Sequence, residues 1–272
     1  MRVLFALAAL LALGVPLAQA AQHPVLVTGA TGGTGALVYL RLKARGHSVR
    51  ALVRSAEKAR KVLNCSRCDV SDGIFIADVT RPSSLGAAFK GAESVVILTA
   101  SHPIKLPNGS WGFPDGGYPV DLDWHGVVNQ AVAARDAGAA RVLLVSSMGT
   151  TEPNSFLDLL GGGQALFYKT QGELALMTIP GLNYTVVKPS GLLDAHGGGR
   201  EILVGRFDRL ARTGKMTIPR ADVAAVIVGA LEMPEQSGNL WFDCSSDPSG
   251  KPTTDFAALF DRARDSWRDL AA

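Results

Sequence analysis

Three glycines at a regular spacing, Gly29, Gly32 and Gly35, are the residues whose chemistry is easiest to predict. They follow an apolar run at 25–28 and precede a helical segment at 36–45. Glycine allows close approaches that a Cβ would block, and the first amides of the next helix can then bind an anionic pyrophosphate. Since a second strand follows, we predict a dinucleotide-binding turn rather than an ordinary tight turn. Its predicted contact residues are Gly29, Thr31, Gly32, Gly33, Thr34 and Gly35.

The end of that second strand, 48–53, bears on which dinucleotide binds. Arg54 stands where NAD-binding proteins place an acid for the ribose hydroxyls, and a cation suits the 2′-phosphate of NADP(H) instead. Residues 41–67 carry nine Lys or Arg side chains against one acid, Glu57. We therefore expect NADP(H), and no nucleic acid, because no recognition motif or interleaved aromatic residue accompanies these cations. Three of them are predicted to lie on a solvated helix face: Lys58, Arg60 and Lys61.

The elements that must position these residues alternate along the chain. This alternation, in a chain of 47% hydrophobic and 19% charged residues, predicts a single domain over 21–272. Its fold class is α/β, a Rossmann-like doubly wound parallel sheet. The predicted strands are 24–28, 48–53, 73–77, 94–99, 141–146, 183–188 and 239–242. The predicted helices are 34–45, 82–90, 120–137, 164–178, 221–231 and 253–269.

Ligands of such sheets bind at the carboxyl ends of the strands, so the residues after each strand are candidates. Asp78 either accepts a hydrogen bond from an adenine amino group or caps the next helix, and both interpretations stay open. Ser146 and Ser147 are expected beside the nicotinamide. The remaining predicted cofactor contacts at strand ends are Val79, Thr99, Ala100, Pro189, Ser190 and Gly191.

Residues 1–20 have the pattern of a secretory signal peptide. Arg2 precedes an apolar run at 3–15, and Ala18-Gln19-Ala20 is a typical cleavage site. Because this run is short for a bilayer span, no stable membrane anchor is expected after cleavage. We expect entry into the secretory pathway, to an ER-type lumen, secretion or a compartment reached through it. An intracellular or plastid destination is the alternative, since NADP(H) is chiefly an intracellular cofactor.

A series of motifs runs in order through residues 24–260. The motifs are Val-Thr-Gly-Ala-Thr-Gly-Gly-Thr-Gly (27–35), Leu-Val-Arg-Ser (52–55), Asp-Val-Thr (78–80), Val-Ile-Leu-Thr (96–99), Asp-Trp-x-Gly-x-x-Asn-Gln (123–130), Ser-Met-Gly (147–149), Lys-x-x-x-Glu (169–173), Ser-Gly-Leu-Leu-Asp (190–194) and Ile-Pro-Arg-Ala-Asp-Val-Ala (218–224). They resemble those of one protein family, the atypical short-chain dehydrogenases/reductases of group five, the NmrA-like kind that includes plant NADP-binding proteins. The resemblance implies a Rossmann-like fold, NADP(H) in the cleft and a small C-terminal substrate lobe over the nicotinamide.

The resemblance also exposes a departure from the chemistry of the wider superfamily, which uses a Tyr-x-x-x-Lys pair. Lys169 matches the lysine, but Ala165 occupies the tyrosine position. Tyr168 lies about 100° away around the helix and is expected to pack on the sheet instead. Lys169 can still bind the ribose and orient the nicotinamide. Proton transfer then falls to Ser147, a substrate group or water, so Lys169 and Ser147 are the catalytic candidates.

Other polar residues are given structural interpretations. Asp121 and Asp123 are expected to favour the start of the long helix through its dipole, and Arg220 with Asp222 to fix the helix under the small lobe. No metal or nucleophilic triad is expected, because the histidines share no local frame. Cys65 and Cys68 either form a disulfide or have no specific role, and residues 101–119 form either a lid or a surface excursion.

Two functions from different classes follow. The first is an NADPH-dependent oxidoreductase that acts on a small carbonyl or quinone-like acceptor without the usual tyrosine. The second is a non-catalytic NADP(H)-binding redox sensor or regulatory protein with a protein partner. Sugar-nucleotide epimerisation ranks last, because it also normally needs the tyrosine.

Overall fold

The structure is a computed structural model that describes residues 23–152 and 154–266 of the 272-residue chain. The predicted signal peptide, 1–20, lies outside the described residues. Among the helices that are described, none is long and apolar enough to cross a membrane.

The strands form one large sheet and two small ones. The predicted strands are all present, within a few residues of their expected bounds, together with five that the sequence did not indicate. In chain order the strands are β1 Val25–Thr28, β2 Val49–Val53, β3 Ile74–Ile76, β4 Ser94–Ile97, β5 Ile104–Lys105, β6 Trp111–Gly112, β7 Arg141–Val145, β8 Asn183–Pro189, β9 Gly191–Leu193, β10 Glu201–Gly205, β11 Thr217–Pro219 and β12 Leu240–Asp247.

Helices lie between most strands of the large sheet, as its doubly wound form requires. A π-helical turn, Val120–His125, runs directly into the fourth of them and completes the long helix predicted there. The helices are α1 Gly33–Ala44, α2 Ala56–Leu63, α3 Gly86–Phe89, α4 Gly126–Asp136, α5 Phe156–Leu159, α6 Ala165–Thr178, α7 Arg220–Glu232, α8 Pro234–Ser237 and α9 Phe256–Asp265.

The large sheet has the strand order β10-β12-β8-β7-β4-β1-β2-β3. All of its neighbouring pairs are parallel except β10–β12, which is antiparallel. The order reverses between β1 and β4, so the carboxyl ends of these two strands border a crevice. The predicted α/β, Rossmann-like fold is confirmed.

Alternate residues of each strand supply two apolar layers on opposite faces of the sheet. In β1, Val25 and Val27 join the layer that packs under α1, α7 and α9, while Leu26 joins the layer under α3, α4 and α6. Since both faces are buried, the strands are apolar runs rather than alternating ones. The core therefore fixes the strand ends, which carry the candidate site.

The elements that sequence patterns missed are short or lie at edges. Strands β9 and β11 pair in parallel to form a small sheet beside the end of β8. The segment 191–220, which contains this sheet, is called here the small C-terminal lobe. Helix α2 begins after Ser55, whose Oγ accepts from the Lys58 amide at 3.2 Å. The short strands owe their formation to tertiary contacts, because two or three residues carry no periodic signal, whereas α2 contains the solvated helix face predicted for Lys58, Arg60 and Lys61.

Candidate functional site

The glycine-rich turn joins β1 to α1 and packs against the end of β4. Gly29 has a φ of 66°, and a Cβ there would lie 2.6 Å from the Leu98 carbonyl oxygen. The Gly32 amide donates to the Gly29 oxygen at 2.9 Å, and a Cβ on Gly35 would overlap that same oxygen. Helix α1 begins at Gly33 with no side-chain cap at Gly32. The amides at its start are therefore available to an anion.

A cleft of about 240 Å³ opens beside this turn, where the strand order reverses. The ends of β1, β2 and β4 and the residues that follow them form most of its wall. The predicted residues that line it are Gly29, Thr31, Gly32, Arg54, Val79, Thr99 and Ala100. The unassigned residues that also line it are Leu52, Val53, Ser55, Lys58, Leu98, His102 and Leu122.

The end of the cleft next to β2 is basic. Arg54 and Lys58 are both exposed and line it, and no acid occurs among the described lining residues. Lys58 lies on an exposed face of α2, as predicted, and it also lines the cleft. Lys61 differs, because it pairs with Glu57 at 2.7 Å on an exposed surface. The signal that identifies Lys58 is its place in the first helical turn after the cap at Ser55.

Lys169 lines a small cavity that adjoins the cleft at Thr99, and this region is called here the inner end of the cleft. Its Nζ lies 2.6 Å from Oδ1 of Asp123, a carboxylate whose side chain is 2% exposed. The other oxygen, Oδ2, accepts from the amide of Ser101 at 3.2 Å and from its hydroxyl. Thr99 lines both the cleft and a small cavity that it shares with Lys169 and Ser146. Asp123 lies in the first turn of the π-helical segment, where the helix-start interpretation placed it, and it also holds Lys169.

A buried polar network lies behind Ser146. The Ser146 hydroxyl donates to Oε1 of Glu173, and Nε1 of Trp241 donates to Oε2 at 2.6 Å. Lys188 is fully buried, with its Nζ 3.6 Å from that Oε2 and 4.0 Å from the centre of the Trp241 ring. Its ammonium also donates to the hydroxyl of Thr150. The network fixes Ser146 and Glu173 in one arrangement, because each buried polar group depends on the next.

Asp243 borders this network. Its Oδ2 accepts from the Asp208 amide at 2.7 Å, whereas Oδ1 has no hydrogen-bond partner among the described residues. Burial raises the pKa of Asp243 to about 6, against the opposing attraction of Lys188. The Asp208 carboxylate in turn accepts from the amides of Gly149 at 2.7 Å and Thr151 at 2.9 Å. The loop after β7 is therefore held by the small lobe.

The cleft lies where the strand order of the parallel sheet reverses. Free amides at the start of α1 border it, and one of its ends is basic. These are the features of a dinucleotide-binding site. A sequence profile described as NAD(P)H-binding matches residues 29–234.

The chain belongs to the NAD(P)H-binding family.

Similar proteins of known sequence and structure agree with this membership. The chain is 36% identical over 265 residues to sanguinarine reductase of Eschscholzia californica, covering 87% of this chain and 94% of that protein. It is 40% identical over 248 residues to an uncharacterized chloroplastic protein of Arabidopsis thaliana, covering 87% and 74%. A Bacillus halodurans protein assigned as an NAD-dependent epimerase/dehydratase superimposes with a TM-score of 0.68 at 23% identity, over 88% of this chain and 99% of that one. The expectation of an atypical short-chain dehydrogenase/reductase is confirmed.

The residues present fit the family's cofactor. Glycines at 29 and 35 leave space that a Cβ would fill, and the start of α1 has free amides that can bind a pyrophosphate. Arg54 and Lys58 add positive charge for the phosphates of a dinucleotide. Gly33, Thr34 and Gly35 belong to the turn and α1, outside the described lining of the cleft.

Asp78 makes local contacts. Its Oδ1 accepts from the Thr80 amide at 2.9 Å and from the Thr80 hydroxyl at 2.8 Å, which forms a local Asx turn. The next helical segment, Pro82–Ser84, has Arg81 as its N-cap residue, so Asp78 does not cap it. The next residue, Val79, lines the cleft, and its carbonyl accepts from Asn129 Nδ2 at 2.9 Å. A role for Asp78 towards adenine remains a prediction.

The predicted contacts after β8 are engaged within the protein. The Pro189 carbonyl accepts from the Met148 amide at 3.0 Å, and the Ser190 amide donates to Cys244 at 2.9 Å. The Gly191 amide donates to the Met216 carbonyl at 3.0 Å, and none of the three appears in the described lining of the cleft. Their role towards the carboxamide remains a prediction.

The two other catalytic questions concern Ser147 and the missing tyrosine. Ser147 donates to the Met148 carbonyl at 2.8 Å. Ala165 is the first residue of α6, and the Tyr168 ring stacks on Trp124 with centroids 6.0 Å apart. The aromatic packing predicted for Tyr168 therefore occurs against a neighbouring helical segment rather than against the sheet. The position of Ala165 offers no phenol.

His102 lines the cleft directly after the residues that follow β4. Its pKa lies below the usual value because of burial and the charge of Lys169, with Asp123 opposing. The strand-end rule that identified Thr99 and Ala100 could have identified His102 two residues further on.

The remaining predictions concern loops. Cys65 and Cys68 form a disulfide with Cα atoms 5.1 Å apart, which resolves the alternatives for this pair. The segment 101–119 contains the antiparallel pair β5–β6, and Phe113 within it is 4% exposed. In the described chain, no group of His, Cys, Asp or Glu side chains has the arrangement of a metal site.

Proposed function

We propose that this protein is an NADP(H)-dependent oxidoreductase that acts on a small carbonyl or quinone-like acceptor. The observation that carries the proposal is the Lys169–Asp123 pair at the inner end of the cleft, because a lysine held there can bind the nicotinamide ribose. Sanguinarine reductase, a relative over most of both chains, is named as a reductase. Its name supports the reaction class.

The choice of NADP(H) over NAD(H) rests on charge. Arg54 and Lys58 line the end of the cleft next to β2 without an acid among the described lining residues. A 2′-phosphate carries nearly two negative charges, and an arginine can bind it with two parallel hydrogen bonds. An acid that would accept from an unphosphorylated ribose is the group that NAD(H) needs there.

The chain's residues divide the proposed chemistry between them. The bound cofactor supplies the hydride. Lys169 binds and orients the nicotinamide ribose, and Asp123 holds the ammonium in place. Ser146, fixed by Glu173, lines the same small cavity and limits where an acceptor fits. With alanine at position 165, the proton that the reduced acceptor takes up comes from Ser147, from water or from a group of the substrate. A quinone-like acceptor has the least need of a proton donor from the protein.

The second candidate is an NADP(H)-binding redox sensor with a protein partner. It is favoured by Ala165, which removes the usual proton donor from an otherwise complete cofactor cleft. The oxidoreductase and the sensor share the cofactor site and differ in turnover.

Cofactor choice is tested by titrating NADPH and NADH into the wild-type protein and the Arg54→Ala variant. We expect Arg54→Ala to weaken NADPH binding about 10- to 100-fold, the effect of a lost charge-assisted hydrogen bond, and NADH binding less than twofold. Arg60→Ala is the matched control, since Arg60 is exposed on α2, six residues from Arg54 and outside the described lining of the cleft. Equal affinity for both cofactors in the wild type, unchanged by Arg54→Ala, would contradict the NADP(H) assignment.

Turnover is tested by following NADPH consumption against a panel of quinones and aldehydes. We expect acceptor-dependent oxidation that Lys169→Ala lowers at least tenfold and the surface control Lys61→Ala leaves unchanged. Tight NADPH binding without turnover on any acceptor would favour the sensor.

We propose that the protein acts in a compartment reached by an N-terminal targeting segment. The chloroplastic relatives favour a plastid, and the Cys65–Cys68 disulfide fits an oxidising lumen. N-terminal sequencing of native protein separates these cases: a start at Ala21 supports the secretory signal, and a retained residue 1 or a later start excludes cleavage at that site.

A further inference from the structure

Two charged residues, Asp194 and Arg220, follow the strands of the small sheet β9–β11 near the glycine-rich turn. Its strands are parallel, with Leu193 opposite Pro219 at their carboxyl ends. The residues that follow are Asp194 and Arg220, so they emerge side by side. The Arg220 Nε donates to Asp194 Oδ1 at 2.8 Å. The register of the two parallel strands therefore brings Asp194 and Arg220 together at this edge of the lobe.

The Arg220 side chain lies against the start of α1. A Cβ built on Gly33 would be 3.1 Å from both the Cδ and the Nε of Arg220. Gly33 is the first residue of α1, whose amides have no side-chain cap. The charge of Arg220 also contributes to lowering the pKa of His102, which lines the cleft. The first observation places the guanidinium beside the start of α1, and the second shows that its charge acts on a residue of the cleft.

The contact with Asp194 is unlike a stabilising ion pair. The Asp194 side chain is 87% exposed, so the pair contributes little to stability. It uses the Nε of the guanidinium, and the two terminal NH₂ groups make no hydrogen bond within the described part of the chain. An arginine held by its Nε presents those two groups as a planar fork, the geometry that binds two oxygens of a phosphate.

We propose that Arg220 is a cofactor-binding residue contributed by the small C-terminal lobe, which binds the pyrophosphate opposite the amides of α1 while Asp194 positions its guanidinium. The inference rests on the cofactor binding of the proposed function and adds a ligand from a second part of the chain. It replaces the expectation that Arg220 fixes the floor of the lobe. Because NADP(H) and NAD(H) share the pyrophosphate, Arg220 contributes equally to both, whereas Arg54 discriminates between them.

The test measures the dissociation constants of NADPH, NADH and adenosine 2′-monophosphate for Arg220→Ala. We expect binding of both dinucleotides to weaken by a similar factor of about 10 to 100, and binding of the monophosphate, which has no pyrophosphate, to change less than twofold. Retained monophosphate binding also shows that the variant is folded. Arg41→Ala is the matched control, since Arg41 donates to the Ala221 carbonyl at 3.3 Å across the same α1–α7 contact and lines no part of the cleft.

Asp194→Asn tests the positioning role. We expect a loss of dinucleotide affinity of about threefold in the wild-type background and none in Arg220→Ala, because Asp194 acts through the arginine. Arg220→Lys is expected to recover part of the affinity, since it restores charge without the fork.

The outcomes separate this inference from the proposed function. If Arg220→Ala binds both dinucleotides normally while Arg54→Ala loses NADPH, the inference is wrong and the cofactor assignment stands. Equal losses for the dinucleotides and the monophosphate would mean a general structural role and would also overturn it. If the wild-type protein binds neither dinucleotide, both proposals fail.

Discussion

The two ends of the cofactor cleft are built in different ways. At the end next to β2, the candidate residues Arg54 and Lys58 are exposed and close together in sequence, and the nearby turn acts through backbone amides. At the inner end, Lys169 is held by a buried carboxylate from another helical segment, and Ser146 joins a buried network that reaches Trp241 in β12.

Because of this difference, residues at the end next to β2 mainly affect ligand affinity, and residues at the inner end mainly affect the stability of the fold. Exposed cations are solvated without a ligand, so their removal changes binding and leaves the fold nearly unchanged. Buried ionic groups have lost their water, so the removal of one partner leaves the other unsatisfied. We therefore expect substitutions at the inner end to affect stability strongly and substitutions next to β2 to affect it weakly.

The largest expected effect is that of Asp123→Ala. It leaves the ammonium of Lys169, 14% exposed, without its partner, and should lower the free energy of unfolding by about 3–5 kcal/mol. Urea denaturation measures the change. The double variant Asp123→Leu with Lys169→Met removes both charges and should recover more than half of the loss. A loss below about 1 kcal/mol for Asp123→Ala would remove the contrast between the two ends.

Asp243 gives the inner end a dependence on pH. Burial raises its pKa to about 6, above the ordinary value of 3.8, so the folded state retains a proton that the unfolded chain releases. Its contribution to stability is therefore full below pH 4 and falls as pH rises to about 6, by up to about 3 kcal/mol.

The neighbours of Asp243 include Lys188, Asp208 and Glu173, so the measurement compares variants rather than one titration. The difference in unfolding free energy between Asp243→Asn and the wild type, followed from pH 4 to pH 7, should shift in favour of the variant. Asp261→Asn, at an exposed position of α9, is the control and should give a constant difference. A constant difference for Asp243→Asn as well would contradict the raised pKa.

At the end next to β2, Ser55→Ala should have a moderate effect. The Ser55 hydroxyl caps α2 by accepting from the Lys58 amide, and the loss of such a cap costs about 1 kcal/mol. Thermal denaturation detects this loss, and Ser55→Asp should restore most of the stability because an aspartate also caps a helix. If Ser55→Ala and Ser55→Asp destabilised the protein equally, the loss of stability would not come from the missing helix cap.

The smallest expected effect is that of Glu57→Gln. It breaks the exposed pair with Lys61, and the unfolding free energy should change by less than about 0.5 kcal/mol. Urea denaturation at low and high salt checks it, since the small difference should vanish at high salt. A loss of more than about 1 kcal/mol would mean that this end also depends on fixed ion pairs.

Much of the fold followed from local patterns. The seven strands with long apolar runs and the glycine-rich turn were predicted, because a buried parallel strand must be apolar throughout and a tight turn needs glycine. The pair β9–β11 and the antiparallel edge strand β10 were missed, since short or edge elements form only when the rest of the sheet offers them a partner.

The candidate site divides in the same way. Arg54, Thr99 and Ala100 were identified from their place after a strand, and they line the cleft. The pairing of Asp123 with Lys169 joins residues 46 positions apart, and that of Trp241 with Glu173 joins residues 68 apart. No spacing rule predicts these contacts.

The sequence by itself determined the sheet, the turn and the basic end of the cleft, because glycine geometry, apolar runs and clustered cations act over a few residues. The tertiary structure alone decided which acid holds Lys169, why Lys188 can be buried, and that Arg220 reaches the start of α1. These outcomes depend on how helices and the small lobe pack on the sheet. Packing brings together charges that are distant in the chain, and desolvation then makes each depend on its partner.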